Sequence, residues 1–156
     1  MPNEIAERVT ARSQHAEAPA RLGHEVQDVE DAKLAVESGA DAIVVSNHGG
    51  RQLDGAETSI RALPRIVEAV GDKIEVHMDG GIRSGQDVLR AVALGAKGTY
   101  IGRAMAYGLG AMGEAGVTKA LQCIHKELDI SMAFCGHTNI KTVDKSILLP
   151  GTYPTV

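Results

Sequence analysis

From about Val26 onward, short apolar runs alternate with amphipathic stretches, and this alternation constrains the fold more than any other feature of the chain. In "VEDAKLAVESGA", Val29, Ala32, Lys33, Val36 and Ala40 recur at helical spacing, and Gly39 closes the segment. "DAIVVS" follows as a β-branched run of the kind that forms a buried strand. "TSIRALPRIVEAVG" returns to helical spacing through Ile60, Leu63, Ile66, Val67 and Val70, with Pro64 inside it, where proline kinks or breaks a helix. "KIEVHMD" predicts a second strand, "SGQDVLRAVALGA" a helix capped by Ser84, and "GTYIGR" a third strand. A longer helical region spans roughly Ala104 to Leu128. Strands alternating with helices of this length imply βαβ units and a parallel sheet.

"ESGADAIVVS" and "ALGAKGTYIG" repeat one form: helix end, Gly-Ala, strand, small residue. A β/α barrel and a doubly wound sheet both generate such a repeat. "KIEVHMD" favours the barrel, because Ile74, Val76 and Met78 fall on one face while Glu75, His77 and Asp79 fall on the other. A doubly wound sheet is covered by helices on both faces and favours apolar residues on each. A barrel carries helices on the outside alone, so inward positions near a site can be polar.

The polar groups collect at the C-terminal ends of the strands, which share one face in a parallel α/β fold. The first strand ends in Ser46, Asn47, His48 and Arg51; the second in Asp79, Gly80, Gly81 and Arg83; the third in Gly102 and Arg103. Alone, an Asp-Gly-Gly is a tight turn and a Gly-Arg says almost nothing. At consecutive strand ends the two together suit a phosphate: glycine admits backbone N–H groups, a helix N-terminus adds a positive dipole, and arginine supplies a bidentate fork. A lone histidine at a strand end is usually structural. Beside His48, however, Gly49 and Gly50 leave room for a ligand and Arg51 can bind a carboxylate, a pairing suited to taking a proton from a small hydroxy acid. His15, His24, His125 and His137 have no such company and read as surface residues; His77 belongs to the inward strand face.

Composition narrows the remaining classes. A net charge of −4 gives no electrostatic reason for nucleic acid or an anionic membrane surface as partner. No apolar run approaches the roughly 18–20 residues of a membrane span, and the first residues lack the apolar centre of a secretory signal. Cys123 and Cys135 follow no metal-ligand or redox spacing, so no metal site and a reduced, cytoplasmic setting are expected.

"GADAIVVSNHGGRQLDGA", "IEVHMDGGIRSGQDVLRAVALGAKGTYIGRA" and "YGLGAMGEAGV" together closely resemble the FMN-dependent α-hydroxy acid dehydrogenases, which include L-lactate dehydrogenases, glycolate oxidases and mandelate dehydrogenases. The resemblance runs from about Gln27 to Leu148. It implies an α/β fold that is part of a TIM barrel, this chain supplying the last three βα units and the C-terminal helices. It divides the chain into an N-terminal segment (1–25) unlike the family and helical or disordered, the C-terminal half of the barrel (26–148), and a tail (149–156). It implies FMN as cofactor and a small 2-hydroxy acid as substrate. His48 matches the family's proton acceptor, Arg51 its carboxylate ligand and Ser46 a residue close to the flavin. Asp79, Gly80, Gly81, Arg83, Gly102 and Arg103 match ligands of the FMN ribityl chain and phosphate.

The resemblance also implies what this chain lacks. The family's first half supplies tyrosines near the substrate, an aspartate that orients the histidine, and a second substrate arginine. A lysine beside the flavin normally lies on the fifth strand, where this chain reads "EAPARLGHEV", with no lysine and no recognisable strand. Three parallel strands cannot close a barrel, so association with a second copy or with a separate N-terminal half is expected. Two readings of function stay open: an enzyme part supplying the catalytic histidine, the arginine and the FMN phosphate site, or a catalytically silent half-barrel serving as a phosphate- or flavin-binding or interaction module.

Overall fold

The computed structural model describes residues 21–154, with His24 described by its backbone alone. Four parallel strands form one sheet in the order β1 (Leu22–Val26), β2 (Ala42–Val45), β3 (Glu75–Met78), β4 (Gly98–Thr99). Between and after them lie α1 (Val29–Glu37), α2 (Ser59–Val70), α3 (Gly85–Ala93) and α4 (Arg103–Phe134). The strand order is sequential. A doubly wound sheet reverses its order at a switch point, whereas a barrel adds each strand beside the last. This is a section of a TIM barrel.

Burial follows the same division. Ile43 pairs with Val76 and Val45 with Met78, and this row is sealed beneath Ala35, Leu63, Ile66 and Ala91 of the three helices. On the opposite face Glu75 is exposed and His77 half-buried, the polar inward row expected from "KIEVHMD". No helix among the described residues is long and apolar enough to cross a membrane.

The sheet has one strand more than the sequence predicts. "LGHEV" lacks apolar alternation: Leu22 is 48% exposed, and Gly23 and Val26 are buried. Its strand state comes from pairing with β2, against which Gly23 lies so close that a Cβ there would meet Ile43 Cγ2 at 3.3 Å. Tertiary pairing overrides weak local propensity. The expected N-terminal segment thus ends in a strand, and its residues 1–20 lie outside the described residues, as do 155 and 156 of the tail. Within the tail, Tyr153 packs against the main core.

Helix boundaries have local causes. Asp28 caps α1 by accepting from Glu30 N at 2.8 Å. Ser84 and Asp87 form a reciprocal capping box on α3. Pro64 neither breaks nor ends α2, which runs through it with Pro64 buried in the core. The long helix α4 extends past Leu128 to Phe134 and is interrupted at Met112 and Gly113, whose φ of 62° and ψ of −140° are not helical. Its two arms meet at Gly108 and Gly116, where a Cβ on Gly116 would lie 1.8 Å from the Gly108 oxygen. The second arm docks on α3 at Gly85, where a Cβ would lie 1.9 Å from Leu128 N.

A polar clasp joins the start of α1 to α2. Gln27 donates to the Glu57 carbonyl at 2.6 Å, and Arg65 donates to the Glu57 carboxylate and, at 3.3 Å, to the Gln27 carbonyl. The hydrogen bond from Arg65 holds the Glu57 carboxyl below its ordinary value of 4.5.

Two outcomes follow from this packing. Gly85→Ala is expected to destabilise the chain by about 1–3 kcal/mol through overpacking, whereas Gly110→Ala, with nothing near its Cβ, should stabilise it by about 0.5–1 kcal/mol. Urea denaturation of both variants checks this. Because the Glu57 carboxyl is lowered in the folded state, its contribution is complete above the ordinary value and is lost as pH falls through the lowered one. Arg65→Met should therefore lower the melting temperature at neutral pH, and the difference from the parent should shrink on acidification below 4.5; thermal melts across that range measure it.

Candidate functional site

Each strand hands over to its loop at the same level. Ser46 N donates to Val26 O, Asp79 N to Val45 O and Tyr100 N to Met78 O, at 3.4, 3.1 and 3.0 Å. The three loops therefore emerge side by side and enclose a cleft of about 330 Å³. His48, Arg51, Asp79, Gly80, Gly81, Arg83, Gly102 and Arg103 all line it. Ser46, also expected at the site, lies just beneath: it is buried, and its Oγ accepts from His48 N at 3.1 Å.

The β2 loop is a single 3-10 turn over His48–Gly50, capped by Asn47, whose side chain accepts from Gly49 N at 3.0 Å. Both glycines have positive φ, and so does His48 at 52°. Arg51 closes the turn and is exposed. Opposite it, Gly80 and Gly81 have φ of 82° and 83°, which a side chain rarely tolerates. Gly80 is also sterically required: a Cβ would fall 2.8 Å from Ser59 Oγ, the group that accepts from Asn47 N at 3.1 Å. Gly81 and Gly102, by contrast, border open space. Gly102 caps α4 without a side-chain bond, and Arg103 is the first residue of that helix. A Cβ on Gly49 would lie 3.4 Å from Arg103 Nη2, so this guanidinium reaches across to the β2 loop.

The charge of the cleft opposes that of the chain. Arg51, Arg83 and Arg103 line it together, in a protein of net charge −4. Among the described residues none of the three takes part in an ion pair. Three guanidinium groups, glycine backbone and a helix N-terminus on one concavity, against the single carboxylate of Asp79, could hold an anion.

Two features escape sequence reasoning. Tyr100 lines the cleft and its hydroxyl lies 3.0 Å from His77 Nδ1, while His77 Nε2 lies 3.1 Å from Glu75 Oε2. Both ring nitrogens of His77 are thereby occupied on the inward face. The second is Glu25, at the end of the unexpected strand, whose carboxylate is hydrogen-bonded to Nδ1 of His48. Weak strand propensity in "LGHEV" hid it. Of the other histidines, His125 is exposed and His137 Nδ1 lies 3.3 Å from Thr142 Oγ1; His15 and the side chain of His24 lie outside the described residues.

Comparison with known proteins places this geometry. A sequence model of the FMN-dependent dehydrogenase family matches residues 24–150, slightly beyond the span of the resemblance at each end. L-lactate dehydrogenase of Caulobacter vibrioides (strain NA1000 / CB15N) is 57% identical over 123 residues, covering 79% of this chain and 32% of that protein. 2-Hydroxyacid oxidase 1 of Mus musculus is 50% identical over 119 residues, covering 76% and 32%. A solved structure of mandelate oxidase with benzoyl-formic acid superposes with a TM-score of 0.83 at 44% identity, covering 88% of this chain and 41% of that one. The chain thus spans about a third of the length of these sequence relatives. By the extent of the match and by the barrel segment that carries it, this chain belongs to the FMN-dependent dehydrogenase family.

Proposed function

We propose that this chain carries the proton-accepting, carboxylate-binding and phosphate-binding part of a site that oxidises a small, lactate-like L-2-hydroxy acid to its 2-oxo acid with FMN. The observation that carries the proposal is the single cleft shared by His48, Arg51 and the glycine–arginine cradle of the two following loops.

The residues present fit the phosphate end of FMN. Gly81 and Gly102 leave open space where a Cβ would otherwise stand, Arg103 begins α4, and Arg83 lines the same cleft. Asp79 and Gly80 adjoin that cradle and suit the ribityl chain, and buried Ser46 supports the turn nearest the flavin. FMN, when bound, supplies the two-electron acceptor. Everything else falls to the protein. Arg51 holds the substrate carboxylate in a charge-assisted, bidentate contact. His48 takes one proton from the substrate carbinol and holds it as imidazolium while the carbonyl forms. Two electrons and two protons leave the hydroxy acid in all: one proton to His48, and the other, with both electrons, to the FMN that the cleft would hold.

The sheet supports a role for a partner. β1 and β4 each pair on one side among the described residues, and eight strands are needed to close such a barrel. On α4, Tyr107 of the first arm is 73% exposed and Met112, at the break, 64%. A second copy of the chain, or a separate polypeptide supplying the other strands, would cover these surfaces and complete the site. Without completion the chain is a flavin- or phosphate-binding module with no turnover.

Titrating FMN into the purified chain should give binding that weakens about 10–100-fold in Arg83→Ala and in Arg103→Ala, the loss expected for a charge-assisted hydrogen bond. Anaerobic L-lactate should then bleach the bound flavin, and His48→Ala should slow the bleaching by about 10²–10⁴-fold. Light scattering during size-exclusion chromatography should give a mass above the 16.4 kDa of one chain. Absence of FMN binding in every assembly state would overturn the proposal.

A further inference from the structure

The carboxylate that orients the histidine, which the family resemblance assigns to a half this chain lacks, has a counterpart here. We infer that Glu25 is a positioning residue for His48: its carboxylate holds the neutral imidazole with the proton on Nδ1, leaving Nε2 as the basic atom. This rests on the proton-accepting role proposed above for His48.

Three independent observations converge on the pair. Glu25 Oε1 is hydrogen-bonded to His48 Nδ1, and an ionised carboxylate only accepts, so the ring nitrogen donates. Glu25 and His48 are also the two non-glycine residues with positive φ among the described residues, at 64° and 52°. Finally, the β1–β2 register slips between Gly23 and Val26, so Glu25 sits in the irregular stretch of its strand. A bulge of this kind re-aims a side chain out of the regular alternation. Both partners thus hold a left-handed backbone conformation where they meet, uncommon for any residue but glycine.

Stability does not explain that arrangement. Their side chains are 39% and 42% exposed, and an ion pair so open to water contributes little to folding. Strain kept without a return in stability is characteristic of functional sites. The chemical return is specific. A neutral imidazole has one N–H, so fixing it on Nδ1 leaves the Nε2 lone pair to accept the substrate proton, and the carboxylate then faces the imidazolium that forms. In a serine-protease triad, losing this control of tautomer lowers the rate by about 10⁴-fold.

Glycine is the replacement that the backbone at residue 25 accepts best, so Glu25→Gly separates orientation from folding. Long-range proton–nitrogen correlation spectra of the histidine-labelled full chain, with His48 assigned through His48→Asn, read the tautomer directly. In the parent, neutral His48 is expected chiefly as the Nδ1–H form. In Glu25→Gly it should pass chiefly to the Nε2–H form while the melting temperature stays level or rises. Glu25→Gln keeps an acceptor oxygen and should retain the Nδ1–H form, yet slow anaerobic reduction of FMN by L-lactate by about tenfold or more, because the charge facing the imidazolium is gone. An unchanged tautomer in Glu25→Gly, or an Nε2–H form in the parent, overturns the inference. A tautomer switch in a chain that never reduces FMN upholds the positioning role and defeats the hydroxy-acid reading instead.

Discussion

The site depends on the parallel ladder between β2 and β3. Because Val45 stands opposite Met78, the residue after each strand leaves the sheet at one level, and the last rungs from Val26, Val45 and Met78 fix where the loops begin. That register is held from behind. Ile43, Val45, Val76 and Met78 form a continuous row under the helices, and a one-residue slip of β3 would turn Val76 and Met78 toward the polar face. Burial on one side of the sheet therefore sets geometry on the other. Burying such side chains contributes about 1.5–3 kcal/mol each, so an alternative register is strongly disfavoured.

A second constraint acts at the loops themselves. Ser59 is buried at the start of α2 and touches two loops at once: its hydroxyl accepts from Asn47 N, and Gly80 packs against it. The histidine loop and the aspartate–glycine loop are thus referred to one side-chain oxygen. Glycine at position 80 is demanded by both its φ and that contact, whereas Gly81 meets nothing and faces the cleft. Neighbouring glycines in one motif serve different ends, one structural and one open to a ligand.

Most of this was legible in the sequence because it is written in strong, local signals. β-branched "AIVV", alternating "IEVHMD" and the Ser84 cap each specify their element without outside help. The strand-end rule then brings His48, Asp79 and Arg103 together although dozens of residues separate them. What stayed hidden depends on partners distant in sequence. β1 exists through pairing with β2, and Glu25 reaches His48 through a register slip and a positive φ that no composition or spacing signals. Tyr100 follows a strand of two residues, too short for alternation to show which way it points. Pro64 reads as a kink or a break, yet it is buried and the helix runs through it, held by the apolar stripe of Ala62, Leu63, Ile66 and Val70.

The broken helix α4 joins distant parts of the molecule. Arg103 stands at its head, while the body is held where Gly108 meets Gly116 and where Gly85 meets Leu128. At both points backbone touches backbone, so no flexible side chain absorbs an added atom. The arm that carries Arg103 is thus fixed at Gly108 against the second arm, and the second arm at Leu128 against α3. A methyl group placed at Gly116 or Gly85 would fit only if backbone on one side of the contact moved. The arm that begins at Arg103 is therefore located by a contact that contains no residue of the cleft.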